Sequence, residues 1–373
     1  MRCRSSEEAR PRAATGQNDC QFPNNGPNIE QSTSRLTNRF AMIKNPQLAE
    51  YWNKPVSALA TIDPAEDDKP LSEALCERHR IYSLTLMAIT HHYWNGLKRG
   101  RDGDYPWNPD PGSADGKYLR NDYIGHNIAA FAVDKLGFIM DFAFNHNKLM
   151  NSSAEHAEAR LVRRIFGLNQ IHDSWNVTSE ANPVLSDYNT FEEVTLYTTL
   201  ESCSQCSGIM ALARVREVVY LQTDPGMYMI GNMLRNLTRG TDLESPYPRP
   251  ASSFGLEHFG QLDTAFETFT TEVAANPFHI APNGKKDKSP SLTSFLCTAL
   301  ARDIYAQASV ELDAMESALA SGGMPLKHPG AHPVDRKGEV VPGGLTNEET
   351  LKEALSFRRY AIEKGRRSTP HKL

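Results

Sequence analysis

Two short stretches constrain this chain more than anything else in it: Ala154-Glu155-His156-Ala157-Glu158-Ala159-Arg160, and Thr195 to Gly208 with its Glu201-Ser202-Cys203-Ser204-Gln205-Cys206 core. Together they supply one imidazole, two thiols and a carboxylate. The imidazole and the thiolates suit a catalytic zinc, which takes three protein ligands and keeps its fourth position for water. His156 falls in the first turn of one helical pattern, from about Ala154 to Phe166. Cys203 and Cys206 open another, Cys203 to Ala213, one turn apart on the same face. The fold must therefore bring two helix N-termini onto one ion. Glu158, two residues after the histidine, need not bind metal and can move protons instead.

The elements around these stretches read as an alternating α/β order. Ile128–Val133 and Phe138–Phe144 are apolar, β-type runs around Asp134-Lys135-Leu136-Gly137, which predicts a hairpin in a sheet covered on both faces. Val194–Leu200 is a β-branched strand, and Glu217–Leu221 is another just beyond the Cys203 helix. Strand, helix and strand with short joins make a parallel crossover. The expected fold is a three-layer α/β/α sandwich on a mixed sheet, with extra helical flanking segments.

Those flanks are organised as follows. Residues 1–40 are polar and read as a disordered leader. Residues 41–122 form a helical N-terminal extension whose main helix runs from Ser72 to Gly96. His79, His91 and His92 on it read as its polar flank. Arg101 to Asp122 is a turn-rich loop. The catalytic unit spans 123–240 and includes an insertion at 167–190, with one more helix over Met227–Leu237. Pro246, Pro248 and Pro250 mark a break before a helical C-terminal extension over 241–373. Helices are expected there at Gln261–Ala275 and Ser291–Leu319. A last one starts at a Thr346/Glu349 capping box and carries a basic, solvated end from Arg358.

Composition narrows the setting. The net charge of -5 provides no global basic field for nucleic acid. The six cysteines are scattered apart from one close pair, which is not a disulfide framework. There is no bilayer-length apolar run, and the first residues lack the apolar core of a secretory signal. An intracellular location, cytoplasmic or nuclear, with no membrane association, is expected.

H-x-E followed by C-x-x-C, each at a helix start and in this order, is the arrangement of zinc-dependent nucleobase deaminases. A structural zinc would want a fourth Cys or His, and none stands nearby in sequence. A thioredoxin-like redox pair would give no reason for His156-Ala157-Glu158. From about Ile128 to Leu237 the chain resembles the cytidine deaminase-like superfamily. Leu196 to Met210 is similar to its tRNA adenosine deaminase and guanine deaminase branch, which typically reads T-L-E-P-C-x-x-C there. The resemblance implies Zn2+ held by His156, Cys203 and Cys206, Glu158 as proton shuttle, and parallel pairing of the last two core strands. It implies a base contact from Asn145, whose other reading is an ordinary turn residue. Glu201 is implied to support the ligands from behind, unless it is a helix-capping carboxylate. Ser202 replaces the branch's proline, which loses a fixed φ but no ligand. The stretch between His156 and Cys203 is longer than usual, which suits a lid or an altered rim.

The function expected is zinc-dependent hydrolytic removal of an exocyclic amine from a nucleobase, adenine- or cytosine-type, in RNA or as a nucleoside or nucleotide. The alternative is a non-catalytic zinc-binding subunit with an assembly or regulatory role, against which the presence of Glu158 counts. Arg160, Arg163, Arg164, Arg214, Arg216, Arg235 and Arg239 tilt the reading toward RNA, whereas the acidic chain suits a small substrate. The resemblance also implies a homo- or hetero-oligomer.

Overall fold

The hairpin is present. β1 (Ala129–Val133) and β2 (Ile139–Phe144) pair antiparallel. Asp134 closes their turn by accepting from the N–H groups of Leu136 and Phe138, and Gly137 takes a φ of +100° that a side chain would resist. The computed structural model describes residues 46–62, 71–94, 99–100, 103–104, 125–147, 149–176, 191–241, 243–275, 277 and 291–364. The expected leader lies outside them, as does the Arg101–Asp122 loop apart from a two-residue strand at Gly103–Asp104.

Three more strands complete one sheet: β3 (Thr195–Thr198), β4 (Glu217–Tyr220) and β5 (Tyr247–Pro250). The order is β2-β1-β3-β4-β5. β1 runs antiparallel to β2 and β3, while β3, β4 and β5 are mutually parallel. β5 corrects the expected break at the prolines. A proline cannot donate to a ladder, but an edge strand has one side with no strand to satisfy. Pro248 and Pro250 sit there opposite Val218 and Tyr220.

The main helices are α1 (Glu73–His92), α2 (Ala157–Asn176), α3 (Ser204–Leu212), α4 (Ile230–Thr238), α5 (Glu257–Ala275), α6 (Ala299–Ala320) and α7 (Asn347–Lys364). Successive side chains on β3 point to opposite faces. Tyr197 packs with Tyr82 and His79 of α1, whereas Thr198 reaches Glu158 of α2. α2 and α3 therefore cover one face and α1 the other, which makes the expected three-layer sandwich. Phe357 of α7 joins Phe131 and Phe142 on the α1 face, and α6 packs along α1. The second layer is thus built from both flanks of the chain.

Several boundaries differ from the sequence reading. α2 begins at Ala157, so His156 stands just ahead of its first turn, and it runs through Gly167 to Asn176. A helical glycine costs about 1 kcal/mol, too little by itself to stop a helix. The rest of the expected insertion, 177–190, lies outside the described residues. The Ser291–Leu319 segment divides at Thr298, whose hydroxyl caps α6 by accepting from Ala301 N–H at 3.2 Å. The capping box at Thr346 is formed: Thr346 N–H donates to Glu349 Oε2 at 2.7 Å, and Glu349 N–H to Thr346 Oγ1 at 3.2 Å. Arg358 is not solvated but turned onto α6, bonded to Asp313 and Ser309. His79 is not a polar flank either; it is buried against the sheet. Among the described residues no helix is long and apolar enough to cross a membrane.

Candidate metal centre

The end of β2 fixes the first ligand. Asn145 Oδ1 accepts from Ala157 N–H at 2.6 Å, capping α2, and His146 N–H donates to Glu155 C=O at 2.9 Å. Both neighbours of His156 are thereby pinned. Cys203 is the N-cap residue of α3, and Cys206 lies three residues on. Gln205 Nε2 donates to Ala154 C=O at 2.9 Å, which ties the start of α3 to the loop before α2. Nothing in the sequence patterning singled out Gln205.

These constraints bring the three expected ligands together. His156 Nδ1 lies 3.3 Å from Cys203 Sγ and 3.7 Å from Cys206 Sγ, and the three ligand atoms all fall within 4.8 Å of one another. With Zn–N about 2.0 Å and Zn–S about 2.3 Å, a tetrahedral ion separates such atoms by roughly 3.5 Å. The donor set and its spacing fit zinc. The protons are shared accordingly. Cys203 is held down to about 4 by hydrogen bonds from Cys206 and from His156, against burial. Contact with Cys203 raises His156, and contact with Cys203 together with burial raises Cys206 as well. Metal binding would release the remaining thiol proton.

Glu158 is buried inside this cluster. Its Oε2 is 3.5 Å from Cys206 Sγ, and its Oε1 accepts from Ser202 Oγ at 3.0 Å and Thr198 Oγ1 at 3.2 Å. Burial raises its pKa, and a backbone N–H bond partly offsets the shift. Ser202, read from sequence only as a lost proline, is therefore a donor to the candidate proton shuttle. Glu201 caps neither helix. Its Oε2 accepts from Asp224 N–H at 3.0 Å, binding the turn after β4 to the ligand turn, and burial lifts its pKa to about 7.

The seven arginines that tilted the sequence reading toward RNA are all paired with acids. Arg160 and Arg163 meet Glu155, Arg164 meets Asp141 and Arg214 meets Glu192. Arg216 meets Glu193, Arg235 meets Glu244 and Arg239 meets Glu50.

One imidazole and two thiols gathered at two helix N-termini, with a buried carboxylate beside them, make a candidate zinc site. Residues 114–222 match the family model described as the cytidine and deoxycytidylate deaminase zinc-binding region, and this part of the chain is a cytidine deaminase-like zinc-binding region. Similar solved structures include one from a study of tRNA:A34 deaminases in A-to-I editing at the wobble position, at 22% identity over 33% of this chain and 82% of that one, TM-score 0.23. Guanine deaminase from Bacillus subtilis is 24% identical over 26% of this chain and 50% of its own, TM-score 0.20. Guanine deaminase from Nitrosomonas europaea is 16% identical over 49% and 74%, TM-score 0.24. No curated protein matches the chain.

Proposed function

We propose that the protein is a zinc-dependent hydrolytic deaminase that removes the exocyclic amine of a nucleobase and releases ammonia. The observation that carries the reading is the burial of Glu158 within the His156/Cys203/Cys206 cluster, its Oε2 turned to the ligand side. His156, Cys203 and Cys206 would hold the zinc, which when bound would lower the pKa of water to about 7 for attack on the base. Glu158 takes a proton on Oε2 and returns it to the departing amine. A carboxyl with a raised pKa suits both directions of that transfer. Asn145 spends its Oδ1 on Ala157 N–H, which leaves its amide Nδ2 as the group that donates to an acceptor on the base.

The pairing of all seven arginines favours a free base or nucleoside over RNA, because a chain that binds phosphates needs cations not already neutralised. Ammonia release from a panel of bases, nucleosides, nucleotides and RNA tests both parts, with zinc content measured alongside. Turnover of a small substrate with little dependence of KM on salt is the expected result. Turnover confined to RNA would reverse the substrate class, and full zinc occupancy without turnover would leave the non-catalytic subunit.

A further inference from the structure

Two hydroxyls hold one oxygen of Glu158. Ser202 Oγ and Thr198 Oγ1 converge on Oε1 at 3.0 and 3.2 Å, while Oε2 has the Cys206 thiol at 3.5 Å. Both hydroxyls are themselves held firmly. Thr198 is the last residue of β3 and fully buried. Ser202, also buried, sits in a turn closed by Ser207 Oγ donating to Ser202 C=O at 3.3 Å. A carboxylate oxygen offers two lone-pair directions, so the two hydroxyls fill Oε1, whereas Oε2 takes a weaker thiol contact on the ligand side. A glutamate in the first turn of a helix has three rotatable side-chain bonds, and fixing them costs up to about 2 kcal/mol of rotamer entropy.

We propose that Ser202 and Thr198 are positioning residues that lock Glu158 by Oε1, so that Oε2 alone faces the ligand cluster and carries the proton. Neither hydroxyl belongs to the His156/Cys203/Cys206 cluster; both donate to Glu158 and act through it. The inference rests on the reading of Glu158 as the proton shuttle, but it is a statement about the carboxylate that can be read without a substrate.

The test uses the full chain, zinc-analysed, as wild type, Ser202→Ala, Thr198→Val and Ser202→Thr. Infrared difference spectra against the matching Glu158→Gln background isolate the carboxyl stretch of this one residue. The band should shift in Ser202→Ala and in Thr198→Val and stay near its wild-type position in Ser202→Thr, with zinc content unchanged throughout. On a substrate found by the ammonia panel, kcat should fall about ten- to a hundred-fold in either donor-deleting variant, with KM held within about twofold and kcat recovered in Ser202→Thr. A stretch that stays put in both Ser202→Ala and Thr198→Val overturns the proposal, as does unchanged kcat. Should Ser202→Ala fail to fold, Thr198→Val alone decides it. A shifted band in a protein that turns over nothing would uphold the grip on Glu158 and remove the deaminase reading, so the two fail separately.

Discussion

At the scale of single residues, the proposed ligands and the proposed proton shuttle make opposite predictions for metal content. Glu158 supplies no ligand atom to the three-residue cluster, so Glu158→Gln should keep zinc at about one per chain while cutting kcat by roughly a hundred- to ten-thousand-fold, the usual weight of general acid–base catalysis. Cys206→Ala removes a thiol that lies 3.7 Å from the histidine nitrogen. Its zinc content should fall to near zero after dialysis against a chelator, and its melting temperature should fall with it, because ion binding stabilises only the folded chain. Elemental analysis beside a thermal melt separates the two variants. Zinc retained by Cys206→Ala would exclude Cys206 as a ligand. The grouping of His156, Cys203 and Cys206 was legible in the sequence, since a metal site demands specific side chains at a specific spacing. Ser202, Thr198 and Gln205 were not. A hydroxyl or an amide is common everywhere, and only tertiary placement shows which of them meets a carboxylate or a carbonyl.

At the scale of elements, helix starts do the aiming. α2 and α3 were predictable from their apolar periodicity and from what precedes them, and both start within three residues of the expected position. The edge strand β5 was hidden by its prolines, because sequence patterning does not say which strand lies at an edge. The far end of α2 was misplaced because a single glycine, Gly167, costs too little to end a helix. Asn145 joins two of these elements, closing β2 onto the first N–H of α2. Asn145→Ala should cost about 1 kcal/mol in urea unfolding through loss of the cap, and should loosen zinc retention by freeing the backbone beside His156. Asn145→Asp keeps an oxygen on Ala157 N–H and places a negative charge at a helix N-terminus, so its stability should stay near wild type. Because it also loses the amide donor, it should still be inactive if Nδ2 contacts the base. Full activity in the aspartate variant would reduce Asn145 to a cap.

At the scale of the whole molecule, the sheet is held from its second face by α1, and the least expected part of that contact is polar. His79 is stacked on Phe254 and bonded through Nδ1 to Tyr197 Oη at 2.8 Å. Burial pushes the Tyr197 hydroxyl well above its ordinary pKa, so it stays protonated, and His79 Nε2 lies 3.9 Å from Glu217. Glu217 is itself paired with Arg249, and Arg216 and Arg78 add positive charge nearby. Desolvation dominates, and together with these cations it outweighs the pull of Glu217, bringing His79 down from 6.5 to about 4. A folded-state pKa below the unfolded one means that the unfolded chain binds the proton first. The stability due to neutral His79 is therefore complete above pH 6.5 and is lost progressively as pH falls toward 4. Between pH 7.5 and pH 5 the loss from this one group should be about 2 kcal/mol. Acid also strips zinc and protonates carboxylates, but those losses fall equally on a His79→Gln variant, which has no imidazole to charge. The variant will be the less stable protein at pH 7.5. Its deficit relative to wild type, measured by urea unfolding, should shrink by about 2 kcal/mol at pH 5. A deficit that stays constant over that range would mean that His79 is as easily protonated in the folded chain as in the unfolded one, and that the α1 face of the sheet is open to water.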